Sequence, residues 1–159
     1  MGKKQQGDNG APLTLLQLQN LIKRDPESYQ EEFLQQLRHF DSSVEIFTLN
    51  PSADSNNFGE LATFLAHTCT RYPKHGDHVQ GRTMSLLENY ASVMQPLLRR
   101  EMCQAVMMMK GKGDARVIEV FKLFFKLFKV KDKVLRESLR NHITTEIKRM
   151  NAKTQKNQV

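Results

Sequence analysis

Apolar residues recur along this chain at intervals of three and four, the period of an α-helix, and scarcely anywhere at the interval of two that a half-buried strand requires. Leu15, Leu18, Leu21 and Ile22 make the first stripe. Asp25-Pro26 reads as an N-cap followed by proline at the first helical position: the carboxylate accepts orphan backbone N–H groups, and proline has none to satisfy. The helix expected there carries Tyr29, Phe33, Leu34, Leu37 and Phe40 on one face, with Glu27, Glu31 and Glu32 near its positive end. Residues 44–49 form a short separate segment before Pro51, and 50–57 is a loop by composition. Phe58, Leu61, Leu65, Cys69 and Tyr72 define the next helix, which stops ahead of Pro73.

Residues 74–82 are polar and hold Gly76 and Gly81, so periodicity assigns them no structure. A helical pattern resumes over 84–90. Pro96 starts a helix that aligns Leu98, Met102, Ala105, Val106 and Met109, and Gly111-Lys112-Gly113 breaks it. Asp114 is placed to cap a helix with Val117, Ile118, Phe121, Phe124, Phe125 and Phe128 on its face. A final helix from about Asp132 aligns Leu135, Leu139, Ile143, Ile147 and Met150, ahead of a polar basic tail over 151–159. The sole strand-like patch is Val44-Glu45-Ile46-Phe47.

The predicted class is therefore all-α. Helices this short are marginal alone in water, so they must pack on one another. The connections group them into successive antiparallel pairs of roughly 40 residues, the size of HEAT and armadillo units. An α-α superhelix of such pairs is favoured over a closed bundle. The expected organisation is a disordered polar N-terminus over 1–12, a helical-repeat domain over 13–150 and the tail over 151–159, a truncation point in a longer solenoid. A solenoid cut there exposes an apolar flank, which favours self-association or marginal stability.

Composition narrows the class. With 39% hydrophobic and 26% charged residues the chain can build a core, and it is too apolar for a disordered protein. No apolar run reaches membrane-spanning length, because Lys122 and Lys126 interrupt the residues from 121 to 128. Residues 1–10 lack the apolar segment of a secretory signal, and Gln6 stands where a myristoylation motif following Gly2 needs Ser or Thr. Cys69 and Cys103 sit among apolar residues and read as buried thiols in a reducing compartment. The expectation is a soluble intracellular protein.

The net charge of +7 is unevenly placed. Residues 1–109 hold 10 Lys+Arg against 12 Asp+Glu, whereas residues 110–159 hold 14 against 5. A basic end of this kind suits an anionic partner, nucleic acid being the usual one. Lys122, Lys126 and Lys129 lie four and three apart, and Lys133, Arg136 and Arg140 repeat that geometry on the next helix. If the two helices pair, both rows edge one surface able to meet backbone phosphates. The row itself lacks aromatics for base stacking, so such contacts would not be sequence-specific. A plain solvated face is the competing account of the same pattern.

Catalytic chemistry finds little support. His75 and His78 have metal-compatible spacing but no third ligand beside them, and zinc needs three or four. His67 and Cys69 stand two apart on a helix and point to different faces. His142 borders the apolar stripe of the last helix. Met107-Met108-Met109, with Met84 and Met102 nearby, suggests an adaptable surface, although at least two of the three consecutive side chains are expected to fill the core. No cofactor, metal or small-molecule substrate is expected.

The run Leu16-Gln17-Leu18-Gln19-Asn20-Leu21-Ile22-Lys23-Arg24-Asp25-Pro26, followed by Tyr29 and Glu31-Glu32-Phe33-Leu34-Gln35-Gln36, resembles the opening of the SDA proteins (named for severe depolymerisation of actin). Further matches follow in order: Val44-Glu45-Ile46-Phe47, Glu60-Leu61, Tyr72-Pro73, Asp132-Lys133-Val134-Leu135-Arg136, His142-Ile143, Ile147-Lys148 and Asn151-Ala152-Lys153. The resemblance spans about residues 15–156 and is weakest over 74–95. It implies a helical-repeat factor of the nucleus and nucleolus that performs no catalysis. Such a factor binds pre-60S ribosomal particles, through ribosomal RNA and assembly proteins, and supports their maturation and export; an actin role would be indirect. The alternative is a protein-only adaptor for nuclear transport or cytoskeletal organisation, whose basic surface recognises acidic partners.

Overall fold

The computed structural model describes residues 11–55, 57–109 and 113–158, and among these it is helical throughout, with no strand. The helices are α1 (Leu15–Arg24), α2 (Gln30–Leu49), α3 (Phe58–Thr68), α4 (Pro73–Tyr90), α5 (Pro96–Met108), α6 (Asp114–Leu127) and α7 (Lys133–Asn157). They fall into two compact units, Met1–Gly111 and Lys112–Val159, where the sequence suggests one helical domain over 13–150. Residues 1–10 of the expected disordered N-terminus and residues 110–112 of the Gly-Lys-Gly break lie outside the described residues.

Local chemistry sets the first helix boundaries. Thr14 opens α1 with a reciprocal capping box: its hydroxyl accepts the Gln17 N–H at 3.2 Å, and the Gln17 side chain accepts the Thr14 N–H at 2.9 Å. Asp25 ends α1 instead of starting α2. Its backbone N–H donates to the Leu21 carbonyl at 2.9 Å, and its carboxylate accepts the Ser28 N–H at 3.2 Å. The turn so formed delays α2 to Gln30, and the bonds from Ser28 hold the Asp25 carboxyl below its usual range.

The strand-like patch at 44–47 is helix, and 44–49 is no separate segment. Phe33, Leu37, Phe40, Val44 and Phe47 form one buried stripe along α2, spaced four, three, four and three. The polar stretch 74–82 is helical as well. Pro73 occupies the first turn of α4, where a missing N–H costs nothing, and the inner face runs through Val79, Gln80, Thr83, Leu86 and Leu87. Gln80 is 2% exposed, and its amide donates to the Met109 carbonyl at 2.7 Å and the Val106 carbonyl at 3.4 Å. It thus closes the C-terminal end of α5. Replacing Gln80 by leucine leaves those carbonyls unpaired and should cost about 1–3 kcal/mol, read as a lowered urea midpoint at unchanged m-value.

In the first unit α3 is the hub, packed on α1, α2, α4 and α5. Gly59, Ala62 and Ala66 are among its buried positions, and such small residues let neighbouring backbones approach. At Gly59 a side chain would collide with the carboxylate of Glu101 from α5. That carboxyl is raised above its ordinary range, first by burial and then by the nearby Glu60.

Contacts along the helices reveal the repeat. His78 meets Asp41 at 2.8 Å and Arg82 meets Glu45 at 2.7 Å, each pair separated by 37 residues. Phe33 stacks on Tyr72 at one end, and Phe47 meets Tyr90 edge-on at the other. Hence α2 and α4 run side by side in the same direction, one repeat apart. The sequence neighbours α4 and α5 run antiparallel. Gln80 of α4 touches the end of α5, while Arg99 of α5 donates to the Ala91 carbonyl at 3.0 Å just beyond α4. Parallel equivalents and antiparallel neighbours are the arrangement of an α-α superhelix.

Candidate nucleic-acid interface

The basic residues singled out in the sequence all belong to the second unit, a hairpin of α6 and α7. Val120, Leu123, Phe124 and Leu127 form the buried side of α6, and Leu135, Leu139 and Ile143 that of α7. The Phe124 ring meets the edge of His142 with centroids 5.6 Å apart. Burial lowers the His142 pKa, against a smaller upward pull from Glu146, so the imidazole is neutral at physiological pH.

Asp132 fixes the start of α7. It is 5% exposed, and its carboxylate accepts the Leu135 N–H at 3.0 Å, capping the helix that the sequence starts at about this residue. This orients the first turn, where Lys133 and Arg136 stand. Asp132→Ala should lower stability by about 1 kcal/mol, measurable as a lower thermal midpoint of the α6–α7 unit. The cap expected at Asp114 is displaced. Gly113, at φ +82°, occupies the N-cap position, and Asp114 is already the first helical residue of α6.

The expected apolar face of α6 is only partly the buried one. Of Val117, Ile118, Phe121, Phe124, Phe125 and Phe128, Phe124 alone is fully inside; Ile118 is 48% and Phe125 58% exposed. Lys122, Lys126, Lys129, Lys133, Arg136 and Arg140 are all solvent-exposed. At about 100° per residue, counted forward from the centre of the buried side, Lys122 and Lys126 lie about 210° and 250° around α6. By the same count Lys133, Arg136 and Arg140 lie about 120°, 60° and 100° around α7, whose antiparallel course turns the same sense of rotation to the same flank. The two rows therefore occupy different faces of one basic hairpin, with Lys129 in the turn between them.

Residues 151–157, expected as a tail, continue α7. That extension sets Lys153 and Lys156, which the sequence suggests no site for, on the same rod as Lys148. Local ion pairs engage two of the unit's acids: Arg116 with Glu119 at 3.0 Å and Arg149 with Glu146 at 2.7 Å. The exposed lysines and arginines of this unit are thus spread along its helix faces.

The remaining candidates are structural in character. His67 is exposed and Cys69 is buried, and burial pushes the Cys69 thiol up to about 12, leaving it protonated. His78 is held by Asp41, and His75 lies against Phe33 with ring centroids 5.7 Å apart. Among the described residues no group of three His, Cys, Asp or Glu side chains is placed to hold a metal, and no helix is long and apolar enough to cross a membrane. A cleft of about 410 Å³ opens between α1 and the end of α3, with Lys23, His67 and Arg71 on its wall. Lys23 sits in the last turn of α1, where the dipole favours a cation, and Arg71, just beyond α3, donates to the Lys23 carbonyl at 3.0 Å.

A family model described as SDA1, HEAT repeat matches residues 64–159. The chain is 43% identical over 146 residues to the protein SDA1 homolog of Dictyostelium discoideum and 42% identical over 146 residues to that of Drosophila melanogaster. It is 32% identical over 141 residues to protein sda1 of Schizosaccharomyces pombe. These alignments cover 92%, 92% and 88% of this chain but 19%, 20% and 20% of the relatives. The chain thus spans about a fifth of the length of the curated relatives it matches.

Proposed function

The chain belongs to the SDA1 family, and from that premise we propose that it is a non-enzymatic helical-repeat scaffold for assembly of the large (60S) ribosomal subunit. It acts in the nucleus and nucleolus and accompanies pre-60S particles toward export. Its first unit supplies rigid stacked helices, and its basic hairpin meets ribosomal RNA. The observation that carries this reading is the charge of residues 110–159, with 14 Lys+Arg against 5 Asp+Glu, together with the solvent exposure of the six basic residues singled out in it. Lys122, Lys126, Lys129, Lys133, Arg136 and Arg140 would contact backbone phosphates, which position a protein on RNA without reading its sequence. An assembly scaffold needs such contacts, because its place on the particle comes from the shape of the RNA and its protein neighbours.

The test is binding of the 159-residue chain to a structured ribosomal RNA hairpin across a salt series, with those six residues changed to glutamate in a second protein. Binding at low salt that the reversal removes supports the reading. No binding at low salt, or binding that survives the reversal, defeats the RNA contact. Crosslinking the bound chain within purified pre-ribosomal particles then identifies its neighbours.

A further inference from the structure

We propose that the outward face of α6 is a docking seam for an acidic amphipathic helix of a partner protein. Ile118, Phe121, Phe125 and Phe128 follow one another at three, four and three residues, the a and d positions of a heptad. They form a second stripe beside the side of α6 buried in the hairpin. Ile118 and Phe125 are 48% and 58% exposed, Phe121 and Phe128 are half-buried, and the Phe125 and Phe128 rings lie 6.0 Å apart. A single exposed apolar residue needs no explanation, but four in a 3.5-residue register do. That register is what a second helix needs to set its own side chains between them.

Charge selects the occupant. Lys122 follows the d residue Phe121 and so holds an e position, within reach of carboxylates flanking the seam of a facing helix, and Lys129 stands in the turn just past Phe128. Of the acids on α6, Glu119 is engaged by Arg116 at 3.0 Å, and Asp114 lies in the first turn, one heptad before Phe121. On α7, helical register places Arg136 and Arg140 on the same flank of the hairpin as Phe121 and Phe125. A helix with an apolar seam and Asp or Glu beside it meets all of these groups. A second copy of α6 would instead bring lysines against lysines, and nucleic acid offers no apolar ridge of 3.5-residue period.

The test uses the 159-residue chain and three synthetic 21-residue peptides. One carries leucine at a and d with glutamate at e and g; a second replaces glutamate with lysine; a third scrambles the first, keeping charge while destroying the seam. The acidic seam peptide should bind at least about tenfold more tightly than the scrambled one. Phe125→Ser, which alters no charge, should weaken that binding about tenfold while leaving the unfolding midpoint and the affinity for the RNA hairpin within about twofold. Lys122→Glu with Lys129→Glu should shift preference toward the lysine peptide. Equal binding of seam and scrambled peptides, or no effect of Phe125→Ser on the seam peptide, overturns the proposal. So does a wild-type dimer that Phe125→Ser dissociates, since the occupant is then a second copy. Loss of RNA affinity in Phe125→Ser also overturns it, since the ring then serves nucleic acid. Because RNA and peptide are titrated on the same variants, this seam and the RNA contact can fail independently.

Discussion

Replacing Phe33 by alanine should destabilise the first unit by about 3–5 kcal/mol, the usual cost of deleting a fully buried aromatic side chain. Phe33 is 0% exposed and stacks on Tyr72 with centroids 4.1 Å apart. The neighbourhood cannot collapse easily into the gap. The Tyr72 hydroxyl donates to the Pro26 carbonyl at 2.6 Å, which ties the start of α4 to the turn before α2. Burial, with smaller contributions from Glu32 and Asp25, raises the Tyr72 phenol above its usual range, so the hydroxyl stays a donor. Removing the ring therefore leaves a cavity among held groups, where cost rises with residual volume. Domains of ordinary stability have only about 5–15 kcal/mol to lose, so the fall should be large in urea denaturation. Phe125→Ala, at an exposed position, should move stability by no more than about 0.5 kcal/mol and serves as the control. Equal midpoints for the two variants would sink this account of the α2–α4 contact.

Affinity for structured RNA should drop about a hundredfold between 50 and 200 mM salt if four of the six basic residues reach phosphates. Each neutralised phosphate contributes a logarithmic slope of roughly 0.7–0.9 through counterion release. Changing a single contacting Lys to Gln should thus lower the slope by about one, and reversing all six should flatten it. The structure adds a finer expectation. Because the α6 and α7 rows face different sides, neutralising Lys133, Arg136 and Arg140 together should differ from neutralising Lys122 and Lys126 together. The set with the larger effect marks the face turned to the RNA. Equal effects from both sets, with no change in slope, would mean that net charge alone drives binding.

Legibility followed the nature of each signal. The family resemblance rested on polar identities such as Gln17, Gln19 and Asn20, which packing does not dictate, and relatives at 41–43% identity carry it over most of the chain. The charge asymmetry needed only counting. The candidate basic residues were visible by spacing, yet their split between two faces was not, since spacing orders residues on one helix and says nothing about the rotation of its neighbour. Gln80 and Arg99 were missed because an isolated polar residue looks solvent-facing until the carbonyls it satisfies are brought to it from another helix.

The sequence by itself determined the all-α class, the stripes of α3 and α5, the start of α7 near Asp132 and the basic C-terminal third. These depend on periods and on side chains acting on their own neighbouring backbone. Only the tertiary structure decided that α2 runs unbroken to Leu49, that α4 begins at Pro73 through a polar stretch, and that α7 reaches Asn157. It also decided which side of α6 is inside. A helix apolar around more than half its circumference offers several seams of equal period, and the partner that the chain folds against selects one and leaves the other to solvent.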